Sequence, residues 1–533
     1  MCDSRRGLYR STPPSLRVAA LFGLVVLPLV GCTSWLESRA DRRGLEIQRE
    51  KSDTVDQFRA SDLVDPRGSA APRELVAPPV DVPKVLDLEA ATRIATRFNR
   101  GYLSQREGLF LAALALGVTR RDFLQPVFGG DIAYAAADGS SVEYSDATTL
   151  SLSARQLLPT GGTLTVSGSG SLTQIGGGDQ SSSLTGTVSV SQPLLRGAWR
   201  DIAFEPLTAS ERNLLYDARE FEEFRQRFAI DIIEQYYALL SQRQQLENTR
   251  KNIDSQRFAE EQAKALYRLG RGTQLDVFRA EQSLLSAQTA LLDAEQALAL
   301  ALDRFKIDLG LPTDVDFELS DEEFPQPIEM DLDLQTAIRA ALHNRLDLRT
   351  TRDRVADAER AVRIAKNAIL PDLDLTASYT AGSAAERTFR DVFVDSERTA
   401  VGLTLEIPLD RLRERNALRA ALINLEQSQR SLREAEDRVI LEVRDALRQL
   451  ERQTEQVAIE RRNIESFQRS LEKARLENRA GLATNREIVE AQDSLTQAEN
   501  SLLDRIVAYE VTRLNLLRQL GVLFVDPEGR VIR

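Results

Sequence analysis

Cysteine and histidine are nearly missing from this chain, which has Cys2, Cys32 and a single histidine, His343, among 533 residues. Two cysteines cannot build a network of disulfide bonds, and one histidine is too few for the usual zinc sites. The sequence also lacks a glycine-rich phosphate-binding loop and a nucleophile motif. We therefore predict no catalytic site, no metal site and no cofactor, and interpret His343 as part of a helix end.

Clustered charge of one sign is missing as well. Charged residues make up 28% of the chain, but acidic and basic residues alternate along it, and the formal net charge is -12. A nucleic-acid-binding protein needs a basic stripe, so this class is excluded. Aromatic residues are only 6%, and alanine, leucine, arginine, glutamate and glutamine dominate, a composition typical of long helices.

The N-terminal segment has no apolar run long enough to cross a bilayer as a helix. The run from Val18 to Val30 has 13 residues and follows four arginines, which is the pattern of a cleaved signal peptide at residues 1–31. Its end, Leu29-Val30-Gly31-Cys32, resembles the bacterial lipobox, which implies lipidation of Cys32. Thr33 follows instead of aspartate, and by the lipoprotein sorting rule this implies the outer membrane. The alternative is an ordinary signal in which Cys32 is incidental.

Residues 32–85 are polar and rich in proline, which predicts an extended linker. Beyond it the sequence repeats, with three landmarks that recur in the same order, the first at a spacing of 246 residues and the others at 211. They are Leu86–Ala91 with Leu332–Ala337, Gly270–Val277 with Gly481–Ile488, and Leu309-Gly310 with Leu520-Gly521. The order predicts duplicated halves, 86–310 and 332–523, a connecting segment at 311–331 and a tail at 524–533. The first half is longer by 35 residues.

Each half combines a helix, strands and a long pair of helices. Apolar residues from Leu214 to Leu239 are spaced by threes, fours and sevens, and we expect helix pairs at 207–308 and 411–520. Apolar residues alternate with polar ones in a hairpin at about 372–408 and between about 128 and 193. The latter stretches are 131–137, 150–157, 164–172 and 184–192. They fit a membrane barrel with a wet lumen, or a small soluble sandwich.

A membrane barrel requires more than one copy of the chain. One hairpin from each half gives four strands, too few to close, and open sheet edges cannot face lipid because their N–H and C=O groups have no partner there. Two copies would supply eight strands and three would supply twelve. Strand arithmetic does not choose between them.

Several short motifs resemble those of the TolC-type outer-membrane efflux family. They are Ser191–Gly197, Leu370–Leu373, Leu405–Leu409, and the glycine-containing turns followed by Asp276-Val277 and Glu487-Ile488. The resemblance implies a homotrimer with a twelve-stranded β-barrel in the outer membrane, continuous with a periplasmic α-helical coiled-coil barrel. It also implies a passive channel of a tripartite efflux or type I secretion system, with a periplasmic membrane-fusion adaptor and an inner-membrane pump as partners. The 35-residue excess departs from the family pattern, either as an extra barrel hairpin or as a longer external segment.

The resemblance also places two helix-turn-helix tips at the periplasmic mouth. It implies adaptor docking at Gly270, Thr273, Gly481 and Thr484, whereas the simpler interpretation is that the glycines only end helices. Glu487 and Glu490 match the positions of an acidic ring, and the same positions in the first repeat are Asp276 and Arg279. We hypothesise a cation-selective periplasmic gate with Asp276, Glu487 and Glu490 as candidates. The simpler interpretation there is a solvated acidic helix face.

A function of a different class fits part of the same pattern. A structural periplasmic coiled-coil lipoprotein would need the long helices and Cys32, and its alternating segments would be soluble. The sequence does not identify the exported substrate or the pump.

Overall fold

The computed structural model describes residues 40–47, 82–139, 142–175, 179–321, 324–328, 330, 332–383, 396–480, 482 and 484–532. The helices are α1 (Leu88–Phe98), α2 (Arg100–Leu124), α3 (Arg200–Ala203), α4 (Glu205–Arg268), α5 (Gln274–Asp308), α6 (Leu334–Asn344), α7 (Leu346–Asn367), α8 (Leu412–Arg479) and α9 (Asn485–Gln519). The strands are β1 (Val85–Leu86), β2 (Val127–Gly139), β3 (Val142–Leu157), β4 (Thr163–Ile175), β5 (Asp179–Pro193), β6 (Glu318–Leu319), β7 (Asp372–Gly382), β8 (Ser396–Glu406), β9 (Phe524–Val525) and β10 (Val531–Ile532).

The two long helices set the length of the molecule. With 64 and 68 residues, α4 and α8 extend about 96 Å and about 102 Å at 1.5 Å per residue. Each is followed by a 35-residue helix, α5 or α9, that folds back along it. In the described part of the chain, no helix is both long and apolar enough to cross a membrane.

The repeated aspartates start equivalent helices. Asp87 Oδ1 accepts a hydrogen bond of 2.6 Å from Ala90 N at the start of α1. Asp333 Oδ2 accepts one of 3.0 Å from Thr336 N at the start of α6. Each side chain therefore satisfies a backbone donor that the first helical turn would leave free.

The hydrophobic core lies partway along the bundle, where the short helices cross the long ones. Tyr236 of α4 and Phe305 of α5 are fully buried in one cluster together with Leu86. A second cluster joins α6 to α8 and α9 and includes Val443 and Leu516. Smaller buried clusters lie on either side of these two, one around Phe221 toward the sheet and one around Leu471 and Leu495 toward the second tip.

The large sheet contains six antiparallel strands in the order β2-β3-β4-β5-β7-β8. The sheet therefore has two strands more than the four per chain that we expected for the barrel. The residues between 128 and 193 form two hairpins instead of one, and β3 pairs with β4 along its length, from Ser145 with Ile175 to Leu157 with Thr163. The longer first half thus contributes two hairpins to the sheet, and the second half contributes one. Among the described strands, β2 and β8 are its edges.

Candidate functional site

The large sheet has one apolar and one polar face. Residues that lie opposite each other in the register share a face, so the pairs can be followed from strand to strand. The apolar face carries Phe128, Ile132, Tyr134, Leu150, Leu152, Leu164, Val166, Leu172, Leu184, Val188, Val190, Leu373, Leu375, Tyr379, Val401, Leu403 and Leu405. The other face is mostly serine, threonine and glycine.

Among the described residues, most of the large side chains of the apolar face are exposed to solvent. Leu152 in β3 and Leu403 in β8 are 59% and 64% exposed. An uncovered apolar surface of this size is unfavourable in water, so the face is built to contact something apolar. The face runs unbroken through all six strands, which makes the sheet one amphipathic wall.

The base of the sheet is fastened to the helices. Arg196 Nη2 lies 2.5 Å from Asp372 Oδ2, which joins the loop after β5 to the start of β7. Next to it, Gly197 N donates a 2.8 Å hydrogen bond to Asn367 Oδ1 at the end of α7. The motifs Ser191–Gly197 and Leu370–Leu373 therefore meet at this joint and fix the wall to the bundle.

At its opposite end, the bundle has two helix-turn-helix tips that share one backbone hydrogen bond. Arg271 N donates to Leu266 O and Leu482 N donates to Glu477 O, both at 2.9 Å. This bond joins residues five apart in the sequence, and it closes a helix whose following turn contains a left-handed residue. In the first tip that residue is Gly270, with φ of 69°. Gly481 lies outside the described residues.

The first tip ends in a capping box. Thr273 Oγ1 accepts a hydrogen bond of 3.2 Å from Asp276 N, and Asp276 Oδ2 accepts one of 3.0 Å from Thr273 N. The bond from the Thr273 hydroxyl, 2.6 Å long, and that backbone bond lower the pKa of Asp276. Asp276 is therefore ionised, and its carboxylate accepts hydrogen bonds from Thr273 in the cap of α5.

The second tip lacks this box. Thr484 is the N-cap residue of α9, but its side chain makes no capping hydrogen bond. Glu487 and Glu490 are both exposed on the first turns of α9. Arg486 Nε lies 2.5 Å from Glu490 Oε1, so Glu490 is paired with a cation one turn away. The two tips, although similar in backbone, differ in charge and capping.

These features match a known family. The family model described as outer membrane efflux protein matches residues 152–306 and 337–522, more than half of the chain. The chain belongs to the outer membrane efflux protein family. This family consists of channels, and the resemblance noted in the sequence motifs is confirmed.

Solved outer-membrane channels share the fold of this efflux protein. The chain is 15% identical to OprN, with a TM-score of 0.62 over 81% of this chain and 89% of that one. CmeC of Campylobacter jejuni is 15% identical, with a TM-score of 0.61 and coverage of 82% and 85%. VceC of Vibrio cholerae is 16% identical, with a TM-score of 0.60 and coverage of 81% and 96%. No curated protein matches the chain in sequence.

The structure separates the candidate residues of this efflux protein into two groups. Gly270, Thr273 and Asp276 are adjacent in the first tip, and Thr484, Glu487 and Glu490 are adjacent in the second. Cys32 lies outside the described residues, as does Gly481. His343 lies in the last turn of α6, and its carbonyl oxygen accepts a 3.2 Å hydrogen bond from Arg349 Nε. Among the described residues, no group of His, Cys, Asp and Glu could hold a metal ion.

Sequence reasoning missed two buried ion pairs, each within one long helix of this efflux protein. Glu222 Oε2 and Arg225 Nη2 lie 2.7 Å apart and are fully buried in α4, and Glu510 Oε1 lies 2.6 Å from Arg513 Nη2 in α9. Both pairs are opposite charges three residues apart on a mostly apolar helix face, and this spacing is visible in the sequence. Burial makes such pairs structural, because removing one partner would leave a buried charge.

A polar network that sequence reasoning also missed joins α4 to α7 between the core and the sheet. The Tyr216 hydroxyl donates a 2.5 Å hydrogen bond to Asp357 Oδ2, and Arg219 Nη1 lies 2.7 Å from Asp353 Oδ2. Burial and the bond to Asp357 raise the pKa of Tyr216 to about 12. The network connects the two halves of the chain beneath the wall.

Proposed function

We propose that this protein is the outer-membrane channel of a tripartite efflux or type I secretion system, a passive duct formed by three copies of the chain. The observation that carries the proposal is the amphipathic wall. One apolar face runs through all six strands, the other face is polar, and the wall is fastened to helices about 100 Å long. A soluble scaffold would have no use for an uncovered apolar face of this extent.

The two faces of the wall fit two different solvents. Apolar side chains such as Ile132, Val188 and Leu403 would contact lipid, while the serine and threonine hydroxyls would line a water-filled lumen. Each strand has 11 to 16 residues, which is enough for a tilted strand to cross a bilayer. The exposed apolar surface then has a favourable environment.

An exposed stripe on α5 supports assembly from several copies. Its large apolar residues lie on one face at intervals of seven or eight residues and are all exposed in the single chain. They are Phe278, Leu285, Leu292, Leu300 and Ile307. Such a heptad pattern is typical of a coiled-coil contact with another helix. We assign it to a second copy of the chain, and the family resemblance favours three copies.

The proposed location follows from the two ends of the molecule. Lipidated Cys32 and the wall would hold the protein in the outer membrane, and the helices would extend into the periplasm. The tips would then meet a membrane-fusion adaptor, and each tip presents an exposed leucine, Leu269 or Leu482, as an apolar contact. Energy for transport would come from the inner-membrane pump, since we assign no catalysis to this chain.

The test is conductance in a planar lipid bilayer with purified full-length protein. We expect stepwise conductance from the wild type. Leu403→Arg places a charge on the apolar face, which costs about 2–4 kcal/mol at the middle of a bilayer, and should abolish insertion. Thr404→Arg, one residue along β8 on the polar face, is the matched control and should insert and conduct. Wild-type protein that is released by removal of its lipid anchor alone and never conducts would instead indicate the scaffold.

A further inference from the structure

The hairpin β2–β3 forms one end of the wall, and β2 is its edge strand. The wall has six strands, two more than the four per copy that the family resemblance implies. Resting on the proposed function, we propose that β2 of each copy pairs with β8 of the next copy. Three copies would then close a barrel of eighteen strands, not the twelve that the family resemblance implies.

The hairpin continues the wall without a break in its pattern. Ile132 lies opposite Leu150, and Tyr134 lies opposite Thr148, on the same face as Leu403 at the far side of the sheet. On the other face, Asp131 lies opposite Ser151. A soluble hairpin would not need its apolar residues on the same face as those of the other strands. A shift of one residue in its register would place them on the opposite face.

The turn between β3 and β4 fixes this hairpin to the base of the wall. Trp199 N donates a 3.1 Å hydrogen bond to Thr160 O, and Gln192 Nε2 donates one of 3.0 Å to the same carbonyl oxygen. Gly161 has φ of 90°, and a Cβ atom there would overlap the Gly197 carbonyl oxygen. The turn therefore packs against the same loop that joins β5 to the helices, so β3 cannot leave the sheet without breaking this joint.

The two edges of the sheet are complementary. The sheet has an even number of antiparallel strands, so β2 and the β8 of a neighbour run in opposite directions and can form an antiparallel ladder. β2 has 13 residues and β8 has 11. The two most exposed apolar side chains of the wall lie in these strands: Phe128 is 76% and Val401 72% exposed, against 42% for Val188 in the interior strand β5. Pairing would cover both edges, which could not otherwise face lipid.

Closure with eighteen strands changes the bore of the channel. With strands about 4.8 Å apart and tilted by about 40°, a twelve-stranded barrel is about 24 Å across between backbones, and an eighteen-stranded one about 36 Å. The helical tunnel would still be built by the same four helices of each copy. The outer-membrane end would therefore be the wider part of the duct, and the narrowest point would lie in the helices.

Thiol cross-linking between copies tests the edge pairing. One set of variants combines Ala400→Cys in β8 with Ala133→Cys or Ala135→Cys in β2. The matched set combines Ala400→Cys with Ser169→Cys or Ser171→Cys in β4, which would be the free edge of a four-stranded wall. All five positions lie on the polar face. A bismaleimide that spans neighbouring strands removes the need to know the register between copies.

We expect the β2 set to shift from monomer to covalent trimer in denaturing gels, and the β4 set to stay monomeric. Trimer from the β4 set, in protein that still conducts, would overturn the eighteen-stranded barrel while leaving the channel function intact. A β2 product that ends at the dimer would also overturn it, because two copies close only twelve strands. Absence of conductance in the wild type would instead overturn the proposed function itself.

Discussion

Gly310 packs directly against the peptide bond that joins Phe98 to Asn99. A Cβ atom on Gly310 would overlap the Phe98 carbonyl group and lie 2.7 Å from Asn99 N, and the residue has φ of 77°. Gly521, at φ of 68°, has the same relationship to the Asn344–Arg345 peptide, where a Cβ atom would lie 2.9 Å from Asn344 C. The spacings are again 211 and 246 residues, which supports the proposal that the two halves arose by duplication.

Alanine at either glycine should destabilise the bundle. A residue with a side chain costs about 1–3 kcal/mol in the left-handed region, and the overlap with the neighbouring peptide adds to this. We expect Gly310→Ala and Gly521→Ala to lower the melting temperature in circular dichroism. Gly108→Ala is the control, since it lies in α2 with no atom within 4 Å of the added Cβ and should be neutral or stabilising. Equal melting temperatures for all three variants would contradict this account.

The capping box predicts a difference between the tips. Thr273→Ala removes a cap that makes hydrogen bonds and should weaken the start of α5 by about 1 kcal/mol. Thr484→Ala removes a hydroxyl that makes no capping bond and should change little. Hydrogen exchange measured by mass spectrometry would show faster exchange at residues 274–280 in the first variant only. Similar exchange in both tips would count against the difference.

The ion pair of Arg486 with Glu490 refines the gate hypothesis. Because Glu490 is neutralised by its neighbour, Glu487 should carry more of any cation selectivity than Glu490. In single-channel recordings, we expect Glu487→Gln to reduce the cation selectivity measured from the reversal potential. Arg486→Gln frees the charge of Glu490 and should increase it. An unchanged reversal potential in both variants would favour the solvated acidic face.

The docking proposal predicts that a bulky residue at a tip blocks export without harming assembly. Gly481→Leu should abolish efflux in a drug-accumulation assay, because the added side chain would obstruct contact with the adaptor. The trimer should persist in detergent. Gly108→Leu places the same side chain on an open surface of α2 and should export normally. Normal export by Gly481→Leu would refute docking at this tip.

The start of α7 should be sensitive to acid. Arg345 Nη2 lies 2.6 Å from Asp347 Oδ2, and Arg345 Nη1 donates a 2.5 Å hydrogen bond to Glu442 Oε2 of α8. Burial alone would raise the pKa of Asp347, but the hydrogen bonds and charge of Arg345 outweigh it and lower that pKa. A lowered carboxyl pKa gives stability that is present above about pH 3.9 and is lost as the pH falls through the pKa of the folded state.

We therefore expect Asp347→Asn to reduce the loss of melting temperature between pH 6 and pH 3. The effect should not exceed about 1 kcal/mol, because Asp347 is partly exposed to solvent. Glu223 acts in the opposite direction, since burial and the negative charge of Asp347 raise its pKa. Asp122→Asn, at an exposed position of α2, is the control and should leave the acid sensitivity unchanged.

Local patterns predicted most of the elements but not the number of strands. The aspartates at the starts of α1 and α6, the glycine turns and the alternating residues of β7 and β8 are short-range signals, and the structure has the corresponding caps, turns and strands. The strands β3 and β4 also alternate, but the symmetry between the halves suggested one hairpin in each. The repeat predicted one hairpin per half, but the first half contains added sequence. The pairing of β3 with β4 shows that this half forms two hairpins.

The sequence predicted where the candidate residues of the tips lie, but not which hydrogen bonds and ion pairs their side chains make. The sequence puts Asp276 and Glu487 at matching positions, yet one caps a helix and the other lies exposed. Whether a carboxylate caps a helix or stays exposed depends on which side chains and backbone groups lie near it. Sequence spacing alone does not show which of these partners it binds. The pairing of Arg486 with Glu490 was within reach of sequence reasoning, since opposite charges four residues apart commonly pair on a helix.

The equal lengths of α5 and α9, 35 residues each, limit how the molecule can change during evolution. Adding seven residues to one long helix and its partner would advance that tip by about 10 Å and leave the other behind. An adaptor that contacts both tips would then lose its contacts with one of them. If the tips dock an adaptor as proposed, the length of the bundle should vary among relatives only by paired insertions, made at equivalent places in the two halves.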